Sequence, residues 1–165
     1  MIIRPIDQND RGPVDAFLVR RWYSTQMVVR GESIDLGAAD GFFVCEEDEI
    51  LGLITYRLLG KDMDILSLDS LHEREGIGSA LLREAVAKAK ALHAKRICLI
   101  TTNDNLSALR FYQKRGFDPV RIYRNALDQA RTIKPEIPLI GLDGIPLKHE
   151  IELELELGAD PSKEA

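Results

Sequence analysis

Gly76-Ile77-Gly78 stands where an apolar, strand-like run has ended and an amphipathic, helix-like run begins. The first N–H groups of a helix have no internal partners, and they carry the positive end of its dipole. Glycines there remove the Cβ atoms that would keep a phosphate off the main chain, so the pattern can cradle an anion. Tight strand-to-helix packing selects the same glycines, and the two readings stay open on this motif alone. Two other phosphate-binding patterns fit worse. No Gly-Lys-Ser/Thr closes the loop as a P-loop requires, and no third glycine completes a dinucleotide fingerprint. A run of strands precedes the loop, whereas those motifs follow the first strand of a βαβ unit.

The remaining reactive side chains are scattered. Cys45 and Cys98 stand singly inside apolar runs without a Cys-x-x-Cys spacing, which reads as reduced, buried thiols of a cytoplasmic protein. Three histidines far apart in the chain make no metal site; His93 reads as a helix-end residue and His149 as a strand-start residue.

The elements that must position the glycine loop follow from periodicity. Ile2–Ile6 reads as a short edge strand that tolerates Pro5. A helix capped by Asp10 should run to about Tyr23 with Val14, Phe17, Leu18 and Trp22 as its apolar stripe. Residues 24–40 show no sustained period and read as loop or short helix. Residues 41–46 and 50–59 form a hairpin around an acidic turn, and 64–71 adds a third strand. The clearest helix covers 76–93 through Ile77, Leu81, Leu82, Ala85, Val86, Ala89 and Leu92. Residues 96–102 read as a buried strand, 106–115 as a second amphipathic helix, and 117–123 as a strand. Helical composition returns at 125–131. Residues 134–146, with their prolines and glycines, must be irregular. From 148 to 157 the chain alternates strictly, which predicts a strand with Ile151, Leu153, Leu155 and Leu157 inside and a solvated glutamate face at 150, 152, 154 and 156.

The order of elements gives an α/β (α+β) class with a mostly antiparallel sheet and one parallel, right-handed crossover through the 76–93 helix. At 165 residues, with 45% hydrophobic and 30% charged residues, the chain suits one globular domain over 1–158, followed by a disordered tail at 159–165. A net charge of −5 with no basic stripe argues against nucleic acid; it suits a cationic partner such as an amine, and equally a surface that keeps the protein soluble. The N-terminus lacks the form of a secretory signal, and no run is apolar and long enough to span a membrane.

Asn105-Leu106-Ser107-Ala108-Leu109-Arg110-Phe111-Tyr112-Gln113-Lys114-Arg115-Gly116-Phe117 decides what the glycine loop is for. It resembles the Asn-x-x-Ala-x-x-x-Tyr-x-x-x-Gly-Phe segment of the GNAT superfamily of N-acetyltransferases at every key position. The Gly76-Ile77-Gly78 loop and its helix resemble that superfamily's acetyl-CoA motif, and the likeness covers about residues 1–123. It implies a twisted, mostly antiparallel sheet of about seven strands flanked by helices. One position departs from the pattern. The superfamily usually has Arg or Gln where this chain has Glu73, with Arg74 displaced by one, so Glu73 should turn away and Arg74, with His72, should face the phosphates.

The resemblance implies transfer of an acetyl group from acetyl-CoA, a co-substrate, to an amine by direct attack in a ternary complex, with no metal. The pyrophosphate would rest on N–H groups from Arg74, Glu75, Gly76, Ile77, Gly78 and Ser79. The pantetheine arm would pair with the strand edge at Asp69, Ser70 and Leu71, where an N–H polarises the acetyl carbonyl. Asn105 would hydrogen-bond the cofactor. Tyr112, protonated at neutral pH as an ordinary phenol, would be the general acid for the thiolate. The attacking amine must be neutral, and Asp69 is the tentative base, with Glu46 a lesser candidate and a water chain an alternative. Trp22 and Tyr23 fall where the superfamily has its acceptor pocket; packing accounts for Trp22 equally well. The acceptor is a small-molecule or peptide amine. Two other readings stay open: a module that senses acetyl-CoA without turnover, and an assembly in which segment 134–146 mediates the contacts of a homodimer.

Overall fold

The computed structural model describes residues 2–72 and 75–158. The expected tail at 159–165 lies outside the described residues. The strands β1 (Ile2–Pro5), β4 (Asp40–Glu46), β5 (Glu49–Leu59), β6 (Asp62–Ser70), β7 (Arg96–Thr102), β8 (Asp118–Tyr123) and β9 (Glu150–Glu156) form a seven-stranded sheet in the order β1-β4-β5-β6-β7-β9-β8. It is mostly antiparallel with one parallel pair, as the order of elements predicts. β2 (Gln26–Val29) and β3 (Glu32–Asp35) make a separate two-stranded sheet. The helices are α1 (Arg11–Trp22), α2 (Ile77–Ala91), α3 (Leu106–Gln113) and α4 (Ala126–Ile133).

By its internal contacts the chain divides into two compact units. The first takes in the chain up to Gln26, Asp35–Ile97 and the residues from Glu156; the second takes in Met27–Ile34 and Cys98–Leu155.

In the first unit β1, β4, β5 and β6 form an antiparallel meander whose longest pairing joins Gly52–Leu59 to Asp62–Ser70. The acidic turn between β4 and β5 is tight because Glu47 and Asp48 both adopt positive φ, 47° and 67°, matching the right-handed twist of the strands. α2 lays Ile77, Ala80, Leu81, Leu82, Ala85 and Ala89 onto β4, β5 and β6. Three alanines on that face let the helix approach closely, while Leu92, expected on the stripe, is exposed because the helix has already ended. α1 buries Val14, Phe17 and Leu18 but leaves Trp22 40% exposed. Its expected cap also differs. Asp10 makes no capping bond to α1 and instead accepts from Asp7 N and Arg4, closing a capping box on the preceding turn.

The stretch read as loop or short helix contains the β2–β3 hairpin, so that expectation is corrected. Arg30 and Gly31 both take positive φ, 50° and 73°, and close the turn. The two short strands lack the alternation that periodicity detects, and their stability comes from the second unit. There Arg30 N donates to both carboxylate oxygens of Glu150 at 3.3 and 3.2 Å, and its Nη1 donates to Glu152 Oε1 at 3.2 Å. Tyr123 also donates to that Glu152 oxygen, at 3.2 Å. Glu150 and Glu152 are consequently 2% and 4% exposed, which overturns the solvated glutamate face at its first two positions. Buried carboxylates need donors, and the alternating pattern of β9 gives no sign of them.

Segment 134–146 is irregular as expected, yet side chains from outside it bond several of its backbone groups. The Arg131 guanidinium donates to the carbonyls of Ile137, Pro138 and Leu147 at 3.2, 2.7 and 2.7 Å. Asp104, buried, accepts from Leu142 N at 2.9 Å and from the Thr102 hydroxyl. Asn103 accepts from Lys148 N and His149 N, both at 2.9 Å, and donates to Pro146 O at 2.9 Å. Leu127, Ala130 and Leu147 close a small core beneath it with Val28, Ala126 and Ile137.

Candidate active site

In the first unit, β6 ends at Ser70 and the chain enters α2 through the glycine loop. Gly76 has φ 78°, a left-handed conformation that a side chain would strain, and nothing lies within 4 Å of the position a Cβ would take. As the N-cap of α2, Gly76 makes no side-chain capping bond, and the first turn carries no acidic residue. The helix therefore starts at a glycine with its positively polarised end, which suits an anion. Ile77 turns its side chain inward, 3% exposed, so only its main chain is available to a ligand. Gly78 and Ser79 are half-buried and Glu75 is exposed. Arg74 and Glu73 lie outside the described residues.

On β6, the Leu71 N–H donates to Leu51 O at 2.8 Å, which commits that amide to β5. Ser70 Oγ donates to His72 O at 2.9 Å. Asp69, opposite Leu53 of β5, has a side chain only 10% exposed. The last turn of α1 reaches it: Trp22 Nε1 donates to Oδ2 at 2.7 Å, and Arg21 Nε stands 3.6 Å from Oδ1. Burial pushes the Asp69 carboxyl above its ordinary value, against the opposing pull of the Trp22 hydrogen bond and the Arg21 charge. A carboxylate raised in this way holds a proton more readily at neutral pH, as a base requires. Sequence reasoning selected Asp69 but missed both of its partners, because the contact spans 47 positions of the chain. Tyr23, next along, is 92% exposed in a left-handed conformation with φ 62°. Glu46, the lesser carboxylate, is exposed at the end of β4 beside the acidic turn.

In the second unit Asn105 caps α3, its Oδ1 accepting from Ala108 N at 3.1 Å. That bond satisfies one of the first N–H groups of the helix, which explains an asparagine at this position. Tyr112 is buried, its ring edge-on to Phe111 at 5.1 Å and to Phe117 at 5.3 Å. Gly116, at φ 91°, turns the chain so that Phe117 N donates to Tyr112 O at 3.1 Å and its ring returns onto the tyrosine. The glycine and phenylalanine of the motif thus fix the orientation of the tyrosine ring.

His149 Nδ1 accepts from Asn125 N at 2.9 Å, a structural task, and His93 is an exposed helix-end residue at φ 57°. Cys45 is half-buried and Cys98 buried, and the two form no disulfide. Among the described residues no group of His, Cys, Asp and Glu is arranged to hold a metal ion. No helix of the described residues is long and apolar enough to cross a membrane.

Two proteins of Bacillus subtilis (strain 168) are similar over almost their whole length. The uncharacterized protein YdhI is 43% identical over 152 residues, 92% of this chain and 95% of its own. The uncharacterized protein YxbD is 43% identical over 158 residues, 95% of this chain and 99% of its own. The fold is shared with solved acetyltransferases. A GNAT family acetyltransferase from Elizabethkingia anophelis with acetyl-CoA bound superposes with TM-score 0.70 at 21% identity, covering 94% of this chain and 97% of that one. A Bacillus subtilis acetyltransferase in complex with CoA gives 0.69 at 20% identity, covering 94% and 98%. The ribosomal-protein-S18-alanine N-acetyltransferase of Escherichia coli gives 0.64 at 14% identity, covering 96% and 97%. The profile of the acetyltransferase (GNAT) family matches residues 9–117, and the chain belongs to that family.

Proposed function

We propose that the protein transfers the acetyl group of acetyl-CoA to a primary amine of a small molecule or peptide. The observation that carries this reading is the start of α2 at Gly76, where a positive φ and space around the missing Cβ leave room for a pyrophosphate, in a chain of the acetyltransferase family. Acetyl-CoA is a substrate here, and the main-chain N–H groups of residues 76–79 bind and orient it, with Arg74 adding charge.

Asp69 takes the proton of the incoming ammonium, so that a neutral amine attacks the thioester carbonyl. The C–N bond forms as the C–S bond breaks, and Tyr112 gives its phenolic proton to the departing thiolate. The second proton lost by nitrogen as the amide forms returns through solvent to the phenolate, while the proton on Asp69 leaves to water. The Asn105 amide donates to the cofactor while its oxygen holds α3. No covalent enzyme intermediate is needed, since the amine reaches the acetyl group directly. The solved relatives that carry CoA or acetyl-CoA, and the one that acetylates a ribosomal protein's alanine, support the same class of reaction.

Thiol release from acetyl-CoA, followed with a panel of small amines and peptides, tests the reading. Release that depends on an amine is expected. Tight acetyl-CoA binding without amine-dependent release would overturn the enzyme and leave a sensor.

A further inference from the structure

Trp22 ends α1, yet it does not behave as the core residue that its place on the apolar stripe predicts. It is 40% exposed, and water could satisfy its indole N–H. The N–H instead donates at 2.7 Å to a carboxylate on a different element. Tyr23 stops the helix at that point by taking φ 62°, a conformation costly for a bulky side chain, and its N–H closes the last turn on Val19 O at 2.8 Å. The strained stop fixes the turn that carries Arg21 and Trp22.

Asp69 needs such a partner. A nearly buried carboxylate has about four acceptor sites to satisfy. Trp22 fills one on Oδ2 at 2.7 Å, while Arg21 Nε stands 3.6 Å from Oδ1, a longer and weaker contact that leaves acceptor capacity on that oxygen. The side chain is thereby held in one orientation with one oxygen occupied and the other still able to accept. Leu53 faces Asp69 from β5 and carries no charge; Arg21 is the charged group acting on it from α1.

We propose that Trp22 is a positioning residue for acetyl transfer: its indole N–H anchors Asp69 Oδ2 so that Oδ1 is presented to the acceptor's ammonium and receives its proton. Arg21 sets the charge under which Asp69 works. The inference rests on the acetyltransfer reading above and on Asp69 as its base. Both partners stabilise the ionised carboxylate, so losing either raises the pKa of Asp69. The working form is the ionised one, and the acidic limb of the pH profile then moves to higher pH.

Trp22→Phe keeps a ring and deletes the donor; Arg21→Gln deletes the charge and serves as the second variant should Trp22→Phe fold poorly. kcat/KM for amine-dependent thiol release is measured from acid to neutral pH, together with the 13C titration of the Asp69 carboxyl. For Trp22→Phe the limb is expected to move to higher pH, with kcat/KM on the limb down about tenfold, the effect of a hydrogen bond to a charge. KM for acetyl-CoA should stay unchanged, and Arg21→Gln should move the limb the same way. An active wild type whose profile and Asp69 titration superpose on those of both variants overturns the positioning role alone. A wild type that releases no thiol with any amine overturns the acetyltransfer reading, and this inference with it.

Discussion

Gly52, in the interior of β5, lies under the first turn of α2, and an added methyl there tests whether that turn binds the cofactor. An alanine Cβ would stand 2.5 Å from Ile77 Cγ2 and 3.1 Å from both Asp69 O and Leu81 Cδ1. Ordinary carbon contacts are about 3.5–4.0 Å, so Ile77 must retreat by about 1 Å. Isoleucine in a helix has essentially one χ1 rotamer and cannot swing aside, so the start of the helix moves. Overpacking of this kind costs about 1–3 kcal/mol, offset by about 0.5–1 kcal/mol that alanine gains over glycine in a strand. The net loss lowers Tm by about 2–4 °C for each kcal/mol. The same displacement misplaces the N–H groups of residues 77–79, and the Kd for acetyl-CoA should rise about tenfold, equivalent to about 1.4 kcal/mol. Thermal unfolding and calorimetric titration of Gly52→Ala with acetyl-CoA measure both quantities. A lowered Tm with unchanged affinity would refute the start of α2 as the cofactor cradle, and no change in either would refute the packing argument.

Tyr112→Phe preserves the ring packing against Phe111 and Phe117, so turnover should fall about a hundredfold with acetyl-CoA affinity nearly constant; unchanged turnover across the pH range would remove the phenol from the reaction. Glu150 supplies a stability test. Burial raises its carboxyl above the ordinary value, against the Arg30 N–H and charge. The folded state then binds more protons than the unfolded one. This contribution is greatest below the unfolded pKa and is lost as pH rises through the folded value. Glu150→Gln should flatten that decline in urea unfolding measured between acid and neutral pH, and an unaltered slope would show that Glu150 does not titrate as its burial requires.

Three features of this protein were legible in the chain alone because each is local. The apolar period of α2, the continuous run of β7 and the cap-to-glycine frame of α3 depend on residues a few positions apart, and each element stands at or near its predicted bounds. The glycine loop and the Asn105–Phe117 segment were legible for the same reason, since a helix start and a helix-ending turn are built from consecutive residues.

What tertiary structure decided were the pairings of distant side chains. Alternation in β9 marks one face as polar, but only the arrival of Arg30 and Tyr123 buries Glu150 and Glu152 on it. The β2–β3 hairpin had no periodic signal because its strands are four residues each and are held by those glutamates. Trp22 and Asp69 show the same limit at the candidate site. Each residue was visible as a type, an aromatic on a helix stripe and a carboxylate on a strand. Their 2.7 Å hydrogen bond exists only because α1 ends beside β6. A sequence states which groups can ionise and donate, whereas desolvation and partner distance set what those groups do, and both are properties of the folded chain.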